Sequence, residues 1–298
     1  MLQRLRAVTL LVPDLEIVAR AYERELGYVR AGTAPVRAGD PLERQELARC
    51  ERRGLWLRAP LETVTALRLI EYPEGLPPEL CPSGWSANEI LVEDPVTLAR
   101  ALERSDSGFK IVGPPAPLSS NPNIVACQAL GPAGELIYFT RIPPQGGALI
   151  REAARTWVDR TFIMVAGGPN LDSMQQFYRC QFGAEVTARF EGIVGVLQQT
   201  HGLPADTATP MALVPISPQF VLELDQHPQR RIAPDSRLTL GYSSVALEVD
   251  VWPLGPWLTP PALQTGGPYA GEWVGVMTGA AGERLEIIGQ PRSSSTSS

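Results

Sequence analysis

The chain has 298 residues, 44% of them hydrophobic and 19% charged, which suits a globular protein of two domains of about 150 residues each. A net charge of −6, with no basic run anywhere, excludes a general nucleic-acid binder. No stretch approaches the roughly 18 consecutive apolar residues of a membrane-spanning helix.

Residues 8–27, VTLLVPDLEIVARAYERELG, read as a short buried strand, a turn and a helix. Val8, Leu10, Leu11 and Val12 make an apolar run that Pro13 ends by removing a backbone donor. Asp14 is placed to cap the helix N-terminus. Leu15, Val18, Ala19, Tyr22 and Leu26 then form one apolar stripe, and Gly27 stands where a left-handed cap belongs. Strands are expected at 28–33, 55–57 and 67–72, so the first unit reads β-α-β-β-β.

The second unit repeats the plan. It has a strand at 89–92, a helix from Asp94 and Pro95 that Gly108 breaks, and strands at 109–112, 124–130 and 136–140. A short helical connector is expected at 148–157. The third unit opens at 162–183, FIMVAGGPNLDSMQQFYRCQFG, with Asn170 as cap and Gly183 as stop. Strands are expected at 185–190, 195–200, 211–215 and 220–224, one more than the plan needs. The fourth unit opens at 244–249, but its helix region carries four prolines and cannot be a regular helix. Strands at 273–277 and 285–288 close the chain.

Repetition at a long period indicates duplication of one structural unit. The expected organisation is a first domain at 1–143, a linker at 144–158, a second domain at 159–291 and a disordered serine-rich tail at 292–298. Cys50, Cys81, Cys127 and Cys180 show neither CxxC pairing nor zinc spacing. With no signal-peptide pattern, reduced thiols and a cytoplasmic location are expected.

The strand–Asp–helix–Leu-Gly pattern of residues 8–27 has an echo ending Gln181-Phe182-Gly183. The closing segments GPAGELIYFT and GAAGERLEII match each other as well. Through these motifs nearly the whole chain resembles the vicinal oxygen chelate superfamily of glyoxalase I, bleomycin-resistance proteins and extradiol dioxygenases. The resemblance implies an α+β fold of four βαβββ modules, paired first with second and third with fourth, as two domains with curved mixed sheets. It also implies a cleft where histidine and carboxylate ligands hold a divalent metal, from the opening and closing strands of each unit.

At those positions the chain departs from the family. The opening-strand positions hold Ala7, Ala87, Arg160 or Thr161, and Ser244; the closing-strand positions hold Arg68, Tyr138, Glu223 and Glu286. The resemblance therefore implies no metal in the first half. In the second half it implies at most one divalent metal, on Glu223 and Glu286. Those two glutamates are the catalytic candidates, and Ser244, Arg160, Arg68 and Tyr138 the ligand-binding ones. His201 and His227 match no ligand position. If the two carboxylates converge without a metal, repulsion should raise one pKa.

Three readings follow. In one, the chain is a binding protein that holds a small organic molecule in a cleft, its histidine ligands lost. In another, it is a diverged metal-dependent lyase, isomerase or ring-cleaving dioxygenase using Glu223 and Glu286 between the third and fourth units. In the third, the first half is purely structural, a scaffold or dimer surface, and mutating Arg68 is expected to leave small-molecule binding unchanged. A small-molecule partner is expected, with no nucleic acid and no membrane, and a homodimer is compatible with the pattern.

Overall fold

The computed structural model describes residues 1–37, 40, 51–104, 106–118, 121–144, 152–228 and 238–290. Cys50, residues 145–151 of the expected linker and the tail at 292–298 lie outside the described residues. The described part of the expected connector helix, 152–157, is not helical.

The first module comprises β1 (Leu2–Val12), α1 (Leu15–Leu26), β2 (Val29–Thr33), β3 (Gly54–Arg58) and β4 (Ala66–Glu71). The second comprises β5 (Gly84–Val92), α2 (Pro95–Leu102), β6 (Lys110–Pro117), β7 (Val125–Leu130) and β8 (Leu136–Arg141). The third has β9 (Val158–Gly168), α3 (Leu171–Phe182), β10 (Phe190–Gly192), α4 (Gly195–His201), β11 (Thr209–Ser217) and β12 (Phe220–Gln226). The fourth has β13 (Gly241–Val249), β14 (Thr259–Leu263), a 3-10 turn (Gly267–Tyr269), β15 (Trp273–Thr278) and β16 (Arg284–Gly289).

Local chemistry sets the helix ends as the sequence predicts. Asp14 Oδ1 accepts from the backbone N–H of Glu16 at 3.0 Å and of Ile17 at 2.9 Å. Asn170 Oδ1 accepts from Ser173 N at 3.0 Å. Gly27 and Gly183 close α1 and α3 at φ 71 and φ 59, a backbone region that costs other residues a Cβ clash. Residues 185–189 are not a strand, and residues 195–200, expected as a strand, lie in α4. Val196 and Leu197 bury together there, and Gln198 Nε2 reaches Thr207 O at 2.5 Å, which favours a compact turn over an extended run. No helix occurs among the described residues between β13 and β14, and the proline-bearing β14 sits at a sheet edge where prolines are tolerated.

The strands form two eight-stranded sheets, β14-β15-β16-β13-β1-β4-β3-β2 and β10-β11-β12-β9-β5-β8-β7-β6. The first module therefore pairs with the fourth, and the second with the third, which corrects the expected pairing of neighbours along the chain. The seams are antiparallel, with Thr9 opposite Ser244 and Glu89 opposite Ile163. All four opening strands carry similar apolar patterns, so pattern alone does not select the partner. Contacts between the sheets hold the arrangement. Trp85 Nε1 donates to Arg284 O at 2.7 Å, and Tyr242 OH to Leu136 O at 3.0 Å. Leu10, Ile90, Met164 and Leu247, one from each opening strand, belong to one buried cluster with α1, α2 and α3. No helix among the described residues is long and apolar enough to cross a membrane.

Candidate functional site

Strand alternation gives each sheet an inner face, turned away from α1, α2 and α3. On β1, Val8, Leu10 and Val12 enter the helix-side core, which leaves Ala7, Thr9 and Leu11 on the inner face. On β12, Leu222 and Leu224 enter the core, which leaves Val221, Glu223 and Asp225 on the inner face. The register shows which opening-strand residue stands beside each closing-strand site residue. Thr9 is level with Arg68 and Glu89 with Tyr138, so the relevant positions are Thr9 and Glu89 rather than Ala7 and Ala87.

The first sheet brings Arg68, Ser244 and Glu286 together, although they come from opposite ends of the chain. Glu286 Oε1 accepts from Ser244 Oγ and, at 3.5 Å, from Thr9 Oγ1. Arg68 donates from Nη2 to Asp40 Oδ2 at 2.6 Å and from Nε to Ala34 O at 3.3 Å. Its guanidinium lies 5.9 Å from the Trp56 ring centre. Burial pushes the Glu286 carboxyl up, against the pull of Arg68 and Ser244. Burial also opposes the Arg68 charge, but Asp40, Tyr269 and Glu286 outweigh it and hold that pKa above its ordinary value. Tyr269, Val274, Ile288 and Trp56 pack over Ala7 and Ala246 on this face. The positive charge on this face is the buried Arg68 guanidinium, close enough to pull the Glu286 carboxyl down.

The second sheet is different. Glu89, Glu223 and Asp225 meet there among Ala87, Leu136, Tyr138, Val165 and Met211, with Val196 and Leu197 of α4 closing over them. Thr140 Oγ1 donates to Glu89 Oε2 at 3.1 Å. Glu223 and Asp225 stand two residues apart on the same face of β12, and each acts on the other's proton affinity. Burial raises Glu223 from the ordinary 4.5 to about 7. Burial, then the charges of Glu223 and Glu89, raise Asp225 well above the carboxylate range. Glu89 is raised for the same two reasons, burial first and Glu223 second. Among the described residues, no positive side chain shifts any of the three carboxyls. Glu223 is half-buried and so accessible from solvent.

These placements change the sequence reading. Glu223 and Glu286 lie in different sheets with separate neighbours, so the expected site between the third and fourth units does not form. The expected repulsion that raises a carboxyl pKa acts instead among Glu89, Glu223 and Asp225. Tyr138 does lie beside this cluster. Arg160 does not; it is buried in ion pairs with Asp159 at 2.9 Å and Glu152 at 3.3 Å. His201 and His227 stack with ring centres 5.0 Å apart. Glu89 and Asp225 were missed. Their signal was period two, since each stands two residues beyond a site position already considered, Ala87 and Glu223. Among the described residues, no group of three or more His, Cys, Asp or Glu side chains could hold a metal ion.

No known protein family's profile and no curated protein sequence matches this chain. Solved structures do. The chain aligns over 96% of its length with 92% of glyoxalase I from Zea mays, at a TM-score of 0.64 and 16% identity. It aligns over 97% of its length with 86% of a Bacillus subtilis protein described as a candidate dioxygenase, at a TM-score of 0.64 and 10% identity. The likeness is one of fold.

Proposed function

We propose that this chain, which has the fold of the vicinal oxygen chelate superfamily, binds a small organic cation at the inner face of its second sheet, without a resident metal. The observation that carries the reading is the meeting of Glu89, Glu223 and Asp225 in an apolar surround where, among the described residues, no positive side chain acts on them. Buried carboxylates are costly unless paired or protonated. An ammonium or amidinium group would supply the missing charge, and the apolar wall around Val165 and Met211 would take the ligand's hydrocarbon part. Titration calorimetry with benzylammonium, against neutral benzyl alcohol, tests this. Saturable binding of the ammonium alone, lost in the double variant Glu89→Gln/Glu223→Gln, supports it. Equal binding of both compounds, or an unchanged affinity in the double variant, overturns it.

A second reading rests on the Glu223 pKa of about 7. A half-buried carboxyl that titrates near neutrality suits general acid–base work in a lyase or isomerase. Glu286 has no part in it, because that residue lies in the other sheet. Exchange of a carbon-bound substrate proton with solvent, lost in Glu223→Gln, would separate this reading from simple binding.

A further inference from the structure

We infer that α4 is a pH-operated flap over the inner face of the second sheet, released when the stacked pair His201 and His227 takes up protons. These are the chain's two histidines, and the fold brings them together from separate elements. His201 is the last residue of α4, and His227 directly follows β12. Their rings stack with centres 5.0 Å apart and planes 29° from parallel. α4 has seven residues, too few to hold a helix on its own. Its N-cap, Val194, makes no side-chain capping bond. The helix therefore depends on tertiary contacts. Val196 and Leu197 pack in one cluster with Tyr138, Val165 and Met211, Gln198 reaches Thr207, and His201 stacks on His227.

The stack suits neutral rings and not charged ones. His227 is 4% exposed. Its Nδ1 lies 3.3 Å from Pro228 O, and its Nε2 is buried against Gly167 without a hydrogen-bond partner. A protonated imidazole has two N–H donors, so the second would be left unanswered. Two imidazolium rings at stacking distance also repel each other. α4 packs on β6 and on the inner face of the second sheet. The titratable groups on that side are Lys110 of β6, Glu89 of β5, and Glu223 and Asp225 of β12, with Asp206 exposed in the loop after α4. Glu223, at about 7, and Glu89 and Asp225, raised likewise, take their protons as pH falls before the rings do, so they do not answer the new charge. Burial, and after it the Pro228 carbonyl pulling the other way and the His201 ring, leave His227 below its ordinary 6.5. A group held down in this way contributes stability that is present above about pH 6.5 and is lost as pH falls below it. The most weakly held element next to the rings opens first, and that is α4.

The device needs no ligand, so it stands or falls apart from cation binding at Glu89, Glu223 and Asp225. Hydrogen exchange of the full chain, read by mass spectrometry and corrected for the intrinsic rate, follows α4 directly. Between about pH 8 and about pH 5.5, protection of the amides at 195–203 is expected to fall about tenfold, the change in an opening equilibrium that goes with a tenfold change in proton affinity. Helices α1 and α3 should keep their protection. His201→Phe leaves a ring in the stack and removes its charge. In that variant the fall should be smaller, and the His227 pKa, followed through the NMR shifts of its ring protons, should rise. Unchanged protection of α4 across this range overturns the inference. So does an equal loss in α1 and α3, a full-sized fall in His201→Phe, or a His227 pKa that does not move in that variant. If His201→Phe fails to fold, His201→Gln, uncharged and at a half-buried position, carries the same test.

Discussion

Arg68 on β4 and Asp40 form a salt bridge of 2.6 Å with both side chains shut off from solvent. Removing one partner of such a pair leaves the other charged and uncompensated, at a cost of about 3–5 kcal/mol. Arg68→Ala should therefore lose stability on that scale in urea unfolding. Arg68→Met/Asp40→Asn should recover more than half of the loss, because neither charge then remains buried. Benzylammonium binding should be unaffected in either variant that folds, since Arg68 lies in the other sheet.

The carboxylate cluster makes stability depend on pH. The folded-state pKa of Glu223 is about 7, above its ordinary 4.5. A group raised in this way contributes stability that is fully present below about pH 4.5 and is lost as pH rises through about 7. Glu89 and Asp225 are shifted in the same direction. The midpoint of thermal unfolding should fall between pH 5 and 7.5 for the wild type. In Glu223→Gln the fall should be shallower. A steeper fall in the variant would contradict the assignment.

Tyr22 with Glu135 and Tyr178 with Glu283 are the same contact made twice, each from a helix to the closing turn of the next module. Burial raises both carboxyls to about 7, and the tyrosine hydroxyls pull them down. Tyr22→Phe or Tyr178→Phe removes that pull. Each should cost about 1–2 kcal/mol. Each should also raise the carboxyl pKa further, so that the loss of stability with rising pH is larger and extends to higher pH. Chemical denaturation at pH 5 and pH 8 measures both effects.

Gly167 on β9 lies against His227. A Cβ at this position would fall 2.0 Å from His227 Nε2. The ring is buried against His201 and has little room to yield. Gly167→Ala should cost about 1–3 kcal/mol through overpacking. Gly167→Ala/His227→Ala, which removes the ring, should be less destabilised than the sum of its two single variants.

The local elements were legible because their causes lie within a few residues. Asp14 and Asn170 cap, Gly27 and Gly183 stop, and the apolar spacing between them sets one face of each helix. Face assignment on the strands was legible for the same reason. Glu223 shares a side with Val221, and Glu286 with Ile288, as period two requires. The partner of each sheet was not legible. β1 meets β13 across most of the chain length, and the four opening strands offer each other nearly interchangeable apolar edges. Only packing between the sheets, through contacts such as Trp85 with Arg284 and Tyr242 with Leu136, selects among those edges. That choice moves Glu286 beside Arg68, where a buried guanidinium answers its charge. It moves Glu223 beside Glu89, where burial and mutual repulsion push the carboxyl pKa values up.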